Sequence, residues 1–169
     1  MSTTQQPGVP PGRGTIRPVT RGDVPGLKAL IDANGLFPSE MLDDMMAPYF
    51  RGEPGREDFW LTDDDGGHIT IAYYAPERMT SGTWNLYLIA VDPRCQSQGR
   101  GAAMMAYVER ALAERGERIL LVETSGLPEF ERTRAFYRRI GYAEEGRIRD
   151  FYKQGEDKVI FRKALRTEK

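Results

Sequence analysis

The sequence predicts an α/β protein whose central mixed β-sheet is flanked by helices on both faces. Three observations carry this. Apolar residues alternate between strand and helix spacing in the order β-α-α-β-β-β-α-β-α-β-β. Hairpin chemistry joins strands in the first half, whereas residues 85–124 run strand, helix, strand, so antiparallel and parallel pairs must share one sheet. A chain of 169 residues with 40% apolar and 29% charged composition also suits one domain with a substantial core.

The elements follow in order. Residues 1–13, "MSTTQQPGVPPGR", are polar and rich in Pro and Gly without periodicity, so a disordered tail is expected before a single domain over 14–169. "TIRPVT" (15–20) predicts a first strand. Asp23 suits an N-cap with Pro25 in the first turn, and Val24, Leu27, Leu30 and Ile31 share one helical face. Ser39 is the expected cap of a second helix carrying Met41, Leu42, Met45, Met46, Tyr49 and Phe50. "DFWLTDDDGGHITIAYYA" predicts two strands around an Asp/Gly turn. "NLYLIAV" (85–91) is the most continuously apolar strand and is expected at the centre. Met104, Val108 and Leu112 mark a helix that stops at Gly116, and "RILLVET" (118–124) is the next strand. A helix over roughly 128–140 and strands at about 142–151 and 157–163 close the chain.

Composition narrows the function. A net charge of −1 gives no general attraction to nucleic acid or to an anionic membrane. One cysteine and one histidine argue against a disulfide framework and a metal centre. No apolar run reaches the ~18 residues of a spanning helix and no secretory leader pattern is visible, so cytoplasm is the expected compartment.

The stretch "CQSQGRGAAMM" (95–105) carries the chemistry. A buried strand passes through a glycine-rich bend into the first turn of a helix, which aims free N–H groups at one point and suits an anion. The bend lacks the Gly-Lys-Ser/Thr ending of a P-loop and the third glycine of a dinucleotide fingerprint, since position 104 is Met. On this stretch alone, an anion site and a plain turning connection both stand.

Taken with its surroundings, "VDPRCQSQGRGAAMM" resembles the signature of the GCN5-related N-acetyltransferases, Gln/Arg-x-x-Gly-x-Gly/Ala after a strand ending in Val-x-Pro. Gln96, Gly99 and Gly101 satisfy the pattern, as do Gln98, Gly101 and Ala103. A second family element, a helix ending in Tyr before Gly-Phe/Tyr, matches "RAFYRRIGY" with Tyr137, Gly141 and Tyr142. The element order is similar to that fold from residue 15 to residue 165.

The resemblance implies acetyl-CoA as co-substrate without a metal. The acceptor would be a primary amine on a small molecule or peptide, with no nucleic acid or membrane partner; a homodimer stays open. The main chain of Ile89, Ala90 and Val91 would pair with the pantetheine arm. Backbone N–H groups of Gln96, Ser97, Gln98, Gly99, Arg100, Gly101 and Ala102 would hold the pyrophosphate. Tyr137 would protonate the leaving thiolate. Arg94, Arg100, Arg134 and Arg138 lie near enough in sequence to meet CoA phosphates.

The base is less plain. An alkylammonium of pKa near ~10.4 leaves about one amine in 10³ nucleophilic at neutral pH, a deficit of roughly 4 kcal/mol that a positioned base can recover. Several family members carry a glutamate just before the apolar run of the central strand, where this chain has Asn85, so Glu123 on the neighbouring strand is the candidate base. Phe130 stands where many relatives have an asparagine, leaving Thr124 and Ser125 as its replacements. A non-catalytic acyl-CoA-binding module, or transfer of a different acyl group, would carry the same motifs.

Overall fold

The computed structural model describes residues 15–64 and 67–165. The tail expected over 1–13 lies outside the described residues. Seven strands form one sheet in the order β1-β2-β3-β4-β5-β7-β6, with β1 at Thr15–Pro18, β2 at Phe59–Asp64, β3 at His68–Pro76, β4 at Thr83–Val91, β5 at Ile119–Ser125, β6 at Ala143–Lys153 and β7 at Glu156–Ala164. Among the described residues only β4 and β5 pair in parallel, as the intervening helix requires. The strand expected at the centre is the fourth of seven.

Among the described residues four α-helices accompany the sheet: α1 at Val24–Asn34, α2 at Met41–Arg51, α3 at Arg100–Glu114 and α4 at Glu131–Arg139. Strand alternation divides the apolar residues between two cores. Leu61, Ala72 and Tyr74 turn toward Met104, Met105, Val108 and Leu112 of α3 and Tyr137 of α4. Trp60 and Ile71 turn to the opposite face, against Leu27, Leu30 and Ile31 of α1 and Leu42 and Met46 of α2. α3 ends as expected: Gly116 takes a left-handed φ of 81°, and Glu117 N–H donates to the Leu112 carbonyl at 3.0 Å.

Two caps differ from expectation. Asp23 occupies the N-cap position of α1 but makes no side-chain cap bond. Its carboxylate instead accepts from Thr20 N–H at 2.7 Å and pairs with Arg17 at 2.8 Å, tying the entry turn to β1. At α2 the N-cap is Glu40 rather than Ser39. The first N–H groups of that helix are already met by backbone, Met41 donating to Pro38 and Leu42 to Ser39, which removes the need for a hydroxyl cap.

One irregularity decides the shape of the sheet. Against β3, Tyr73 pairs with Leu88 and Tyr74 with Leu86, so Tyr87 is an extra residue in β4. Before it, Trp84 and Leu86 face the α3/α4 core; after it, Leu88 and Ala90 face the α1/α2 core. The bulge reverses the parity of the strand at its midpoint.

Candidate active site

Past that bulge the sheet opens. Parallel pairing of β4 with β5 runs from Thr83/Ile119 to Leu86/Val122 and stops. From there β4 follows β3 to Val91, while β5 follows β7 to Ser125. Ile89, Ala90 and Val91 therefore present a strand edge toward a gap, with no strand partner on that side among the described residues. An extended ligand can complete such an edge by main-chain hydrogen bonding.

The bend closes one end of the gap. The Asp92 carboxylate accepts from Arg94 N–H at 2.8 Å and pairs with the Arg94 guanidinium at 2.8 Å, which pulls the Asp92 pKa below the ordinary carboxylate range. Gln96 donates from Nε2 to the Val91 carbonyl at 3.4 Å, folding the bend back on its own strand. Ser97 holds φ 63° and Gly99 φ 78°, so the chain reverses twice before α3 begins at Arg100. Gln96, Ser97, Gln98 and Gly99 are exposed. A Cβ at Gly99 would meet nothing within 4 Å, which leaves open space over the first N–H groups of α3. Those groups, through Ala102, have no place in the i to i−4 ladder and suit an anionic oxygen. Gly101 answers a second demand: a Cβ there would lie 3.5 Å from Phe136 and 3.6 Å from Val91, so this glycine also lets α3, α4 and β4 approach closely.

The cations are arranged differently from the sequence expectation. The Arg100 side chain turns inward, 8% exposed, and pairs with buried Asp63 at 3.1 Å, so only its backbone N–H faces the bend. Arg134 is also buried: it donates to the carbonyls of Ser125 (2.7 Å) and Leu127 (2.9 Å) and pairs with Glu131, meeting carbonyls that β5 leaves behind as it ends. Arg138 pairs with Glu131 and Glu144. Besides Arg94, the bend has Arg132 close by, whose Nη2 lies 3.5 Å from Ser97 Oγ. Arg132 is three positions from Glu129 in a charged run, and no local pattern in the sequence singled it out. Thr124 and Ser125 are buried at the end of β5, where Ser125 Oγ accepts from Leu127 N–H at 3.2 Å.

Tyr137 lies in the core on the α3/α4 face of the sheet. Its ring meets Phe136, Tyr142 and Phe161 at centroid distances of 5.4, 5.8 and 5.6 Å, and the residue is 3% exposed. Among the described residues its hydroxyl has no hydrogen-bond partner. Burial raises its pKa above the ordinary tyrosine value, so the proton stays on oxygen at neutral pH.

The opposite face of the gap is acidic. Leu120 and Val122 of β5 face the Tyr137 core, which turns Glu123 to the other side. One Glu123 oxygen accepts from Asn85 Nδ2 at 3.1 Å and the other pairs with Lys158 at 2.8 Å. The same Asn85 nitrogen donates at 2.8 Å to Glu77, which also accepts from the Tyr87 hydroxyl at 3.0 Å. Glu77 sits in the β3–β4 turn, its N–H bonded to the Thr83 carbonyl at 2.8 Å, and sequence periodicity offered nothing to pick it out. Burial and the Glu77 bond push Tyr87 up to about 12.

Comparison with known proteins agrees with this geometry. The family model described as acetyltransferase (GNAT) domain matches residues 55–144. A crystal structure of a GNAT-family acetyltransferase assigned in Desulfovibrio desulfuricans is 29% identical, covers 89% of this chain and 98% of its own, and superposes with a TM-score of 0.82. The ribosomal-protein-S18-alanine N-acetyltransferase of Escherichia coli is 23% identical over 92% of this chain and 96% of its own, with a TM-score of 0.70. An aminoglycoside 6′-N-acetyltransferase complexed with coenzyme A is 16% identical over 92% of this chain and 99% of its own, with a TM-score of 0.72. None of the curated proteins matches the sequence. No helix among the described residues is long and apolar enough to cross a membrane. The parted strands, the glycine bend at the start of α3 and a family match over more than half the length lead to one assignment: this chain belongs to the GNAT family of acetyltransferases.

Proposed function

We propose that the protein transfers the acetyl group of acetyl-CoA directly to a primary amine. The observation that carries this reading is the gap that opens past Leu86, flanked by the helix N-terminus of α3, the protonated Tyr137 and an acidic floor. The residues fit the co-substrate. Gly99 leaves room over the α3 N–H groups for a pyrophosphate, Arg132 adds a cation beside Ser97, and the edge at Ile89, Ala90 and Val91 offers main-chain partners to a pantetheine arm.

Acetyl-CoA supplies an activated thioester carbonyl. The chain supplies position and proton management. Amine and thioester enter from opposite faces of the sheet and meet in the gap, so no acyl-enzyme is needed. The N–C bond forms as the C–S bond breaks; Tyr137 gives its proton to the departing sulfur and regains one from solvent. The nitrogen, starting as an ammonium, loses two protons over the reaction. A carboxylate of the acidic floor takes these protons; Glu123, the candidate by strand position alone, is held there by Asn85 and Lys158. A backbone amide at the end of β4 can polarise the thioester carbonyl.

The test is thiol release from acetyl-CoA and competing acyl-CoAs across a panel of amines. Saturable CoA release with one class of amine supports transfer. Tight uptake of acetyl-CoA with no release from any amine would make the protein a binding module.

A further inference from the structure

We infer that Glu77, held in place by Asn85 and Tyr87, anchors the acceptor's ammonium and takes its proton, and that the acceptor is a monocationic amine next to an aromatic or apolar body. This rests on the acetyl-transfer reading above.

Charge decides between the two floor carboxylates. Both Glu123 oxygens are engaged, and Lys158, whose side chain is 12% exposed, neutralises its charge at 2.8 Å. Glu77 carries no cationic partner among the described residues. Its contacts are neutral donors: the Asn85 amide and the Tyr87 hydroxyl, both to Oε1. Oε2 is left to accept from a ligand. The floor therefore presents one uncompensated negative charge, matched by one ammonium.

A second observation points to a ligand. Asn85 is 1% exposed and spends its nitrogen on both carboxylates, while its oxygen is buried with no partner. A core amide kept under-bonded in this way marks a position where two carboxylates must be held at a set spacing, at a cost in stability. Two aromatic walls flank the floor. Tyr73 and Tyr87, with ring centroids 5.8 Å apart, form one. Phe151 and Tyr152 of β6 form the other: Lys158 Nζ sits 3.9 Å from the Phe151 centroid while bridging to Glu123, and Tyr152 titrates upward through burial and the nearby Glu123 charge. Tyr87, Phe151 and Tyr152 are each about half exposed, large rings left in solvent beside a carboxylate. Rings in that position favour an ammonium and the flat or apolar group that bears it.

In the reaction, one proton of the ammonium passes to the Glu77 carboxylate and on to water, freeing the nitrogen lone pair; the second leaves by the same path once the N–C bond has formed. Asn85 acts as a positioning residue.

The experiment compares 2-phenylethylamine, n-butylamine and spermidine in thiol release, using full-length wild type, Glu77→Gln, Glu123→Gln and Tyr87→Phe. Glutamine at 77 keeps both accepted bonds and removes only the charge. With wild type, kcat/KM for 2-phenylethylamine should exceed that for spermidine by about tenfold or more, and Glu77→Gln should lower it at least about tenfold, more than Glu123→Gln does. Loss of the Tyr87 donor should lower kcat/KM for 2-phenylethylamine by a smaller factor than Glu77→Gln does, because one of the two bonds that hold the carboxylate is removed. Acetyl-CoA affinity should change little in all three. Turnover that is indifferent to Glu77→Gln, a loss confined to Glu123→Gln, or preference for spermidine would overturn the inference while leaving acetyl transfer intact. Absence of CoA release from every amine by wild type would sink the transfer reading itself.

Discussion

Leu86 on β4 pairs with Val122 on β5, and no later residue of β4 pairs with that strand. Tyr137 packs in the same core as these two side chains, on the α3/α4 face of the sheet. The proposed transfer would place the reacting atoms at this parting, with the tyrosine hydroxyl as the proton donor from the α3/α4 side.

Tyr137→Phe should lower kcat by at least about tenfold while acetyl-CoA affinity and Tm move little. The hydroxyl has no protein partner among the described residues, so deleting it orphans nothing, and the ring contacts with Tyr142 and Phe161 survive. Single-turnover rates and calorimetry separate the two effects. A wild-type rate under chemistry-limited conditions would make the tyrosine a packing residue.

The same hydroxyl governs the alkaline behaviour. An ordinary tyrosine loses its proton near pH ~10, and burial holds that of Tyr137 above this. Activity should therefore rise with pH as the acceptor amine deprotonates, with no alkaline fall before about pH 10. A fall near pH 8 in kcat would point to another donor.

Arg132→Ala should weaken acetyl-CoA binding by about fivefold to tenfold, with the deficit shrinking as salt is raised, because the side chain offers an exposed charge beside Ser97. Arg134→Ala should instead cost stability, since its guanidinium serves the Ser125 and Leu127 carbonyls. Titration calorimetry and urea unfolding distinguish these outcomes.

Removing one side of the buried Asp63–Arg100 pair by Asp63→Leu should destabilise the fold by about 1.5–3 kcal/mol, because a charged hydrogen bond of 3.1 Å is lost from a buried guanidinium. The double change with Arg100→Met should recover most of that loss, a coupling that a denaturant midpoint series would read.

Alkaline stability follows from three buried phenols. Burial pushes Tyr74 up to about 12 and raises Tyr137 and Tyr142 further. The unfolded chain releases these protons from about pH 10, where the folded chain still binds them, so stability is fully present below pH 10 and falls as pH rises above it. Urea midpoints between pH 7 and 11 should be flat, then drop.

Most of the framework was visible in the residues themselves. The central strand, the bend at Gln96 to Ala102 and the helix bearing Tyr137 each carry a local pattern of period, glycine or motif. What escaped depends on tertiary meeting points. Glu77 lies in a turn, and Asn85 and Tyr87, two apart on β4, bring an amide and a hydroxyl onto it only once the hairpin has folded. Arg134 and Arg100 look like phosphate ligands in one dimension, yet one is drawn to strand-end carbonyls and the other to Asp63. Asp23 and Ser39 have cap chemistry, but Arg17 claims the first and backbone carbonyls displace the second.

The extra residue at Tyr87 also bears on how this protein can be altered. The width of the cleft is set by a count along β4, not by the identity of any one side chain. Removing one residue there would restore plain alternation while leaving Leu88 and Ala90 on the face they already hold, so what is lost is the bulge itself and the local bend it puts into β4 where that strand leaves β5. The substitutions above change turnover, cofactor affinity or stability; a single-codon deletion would act on the shape of the opening itself.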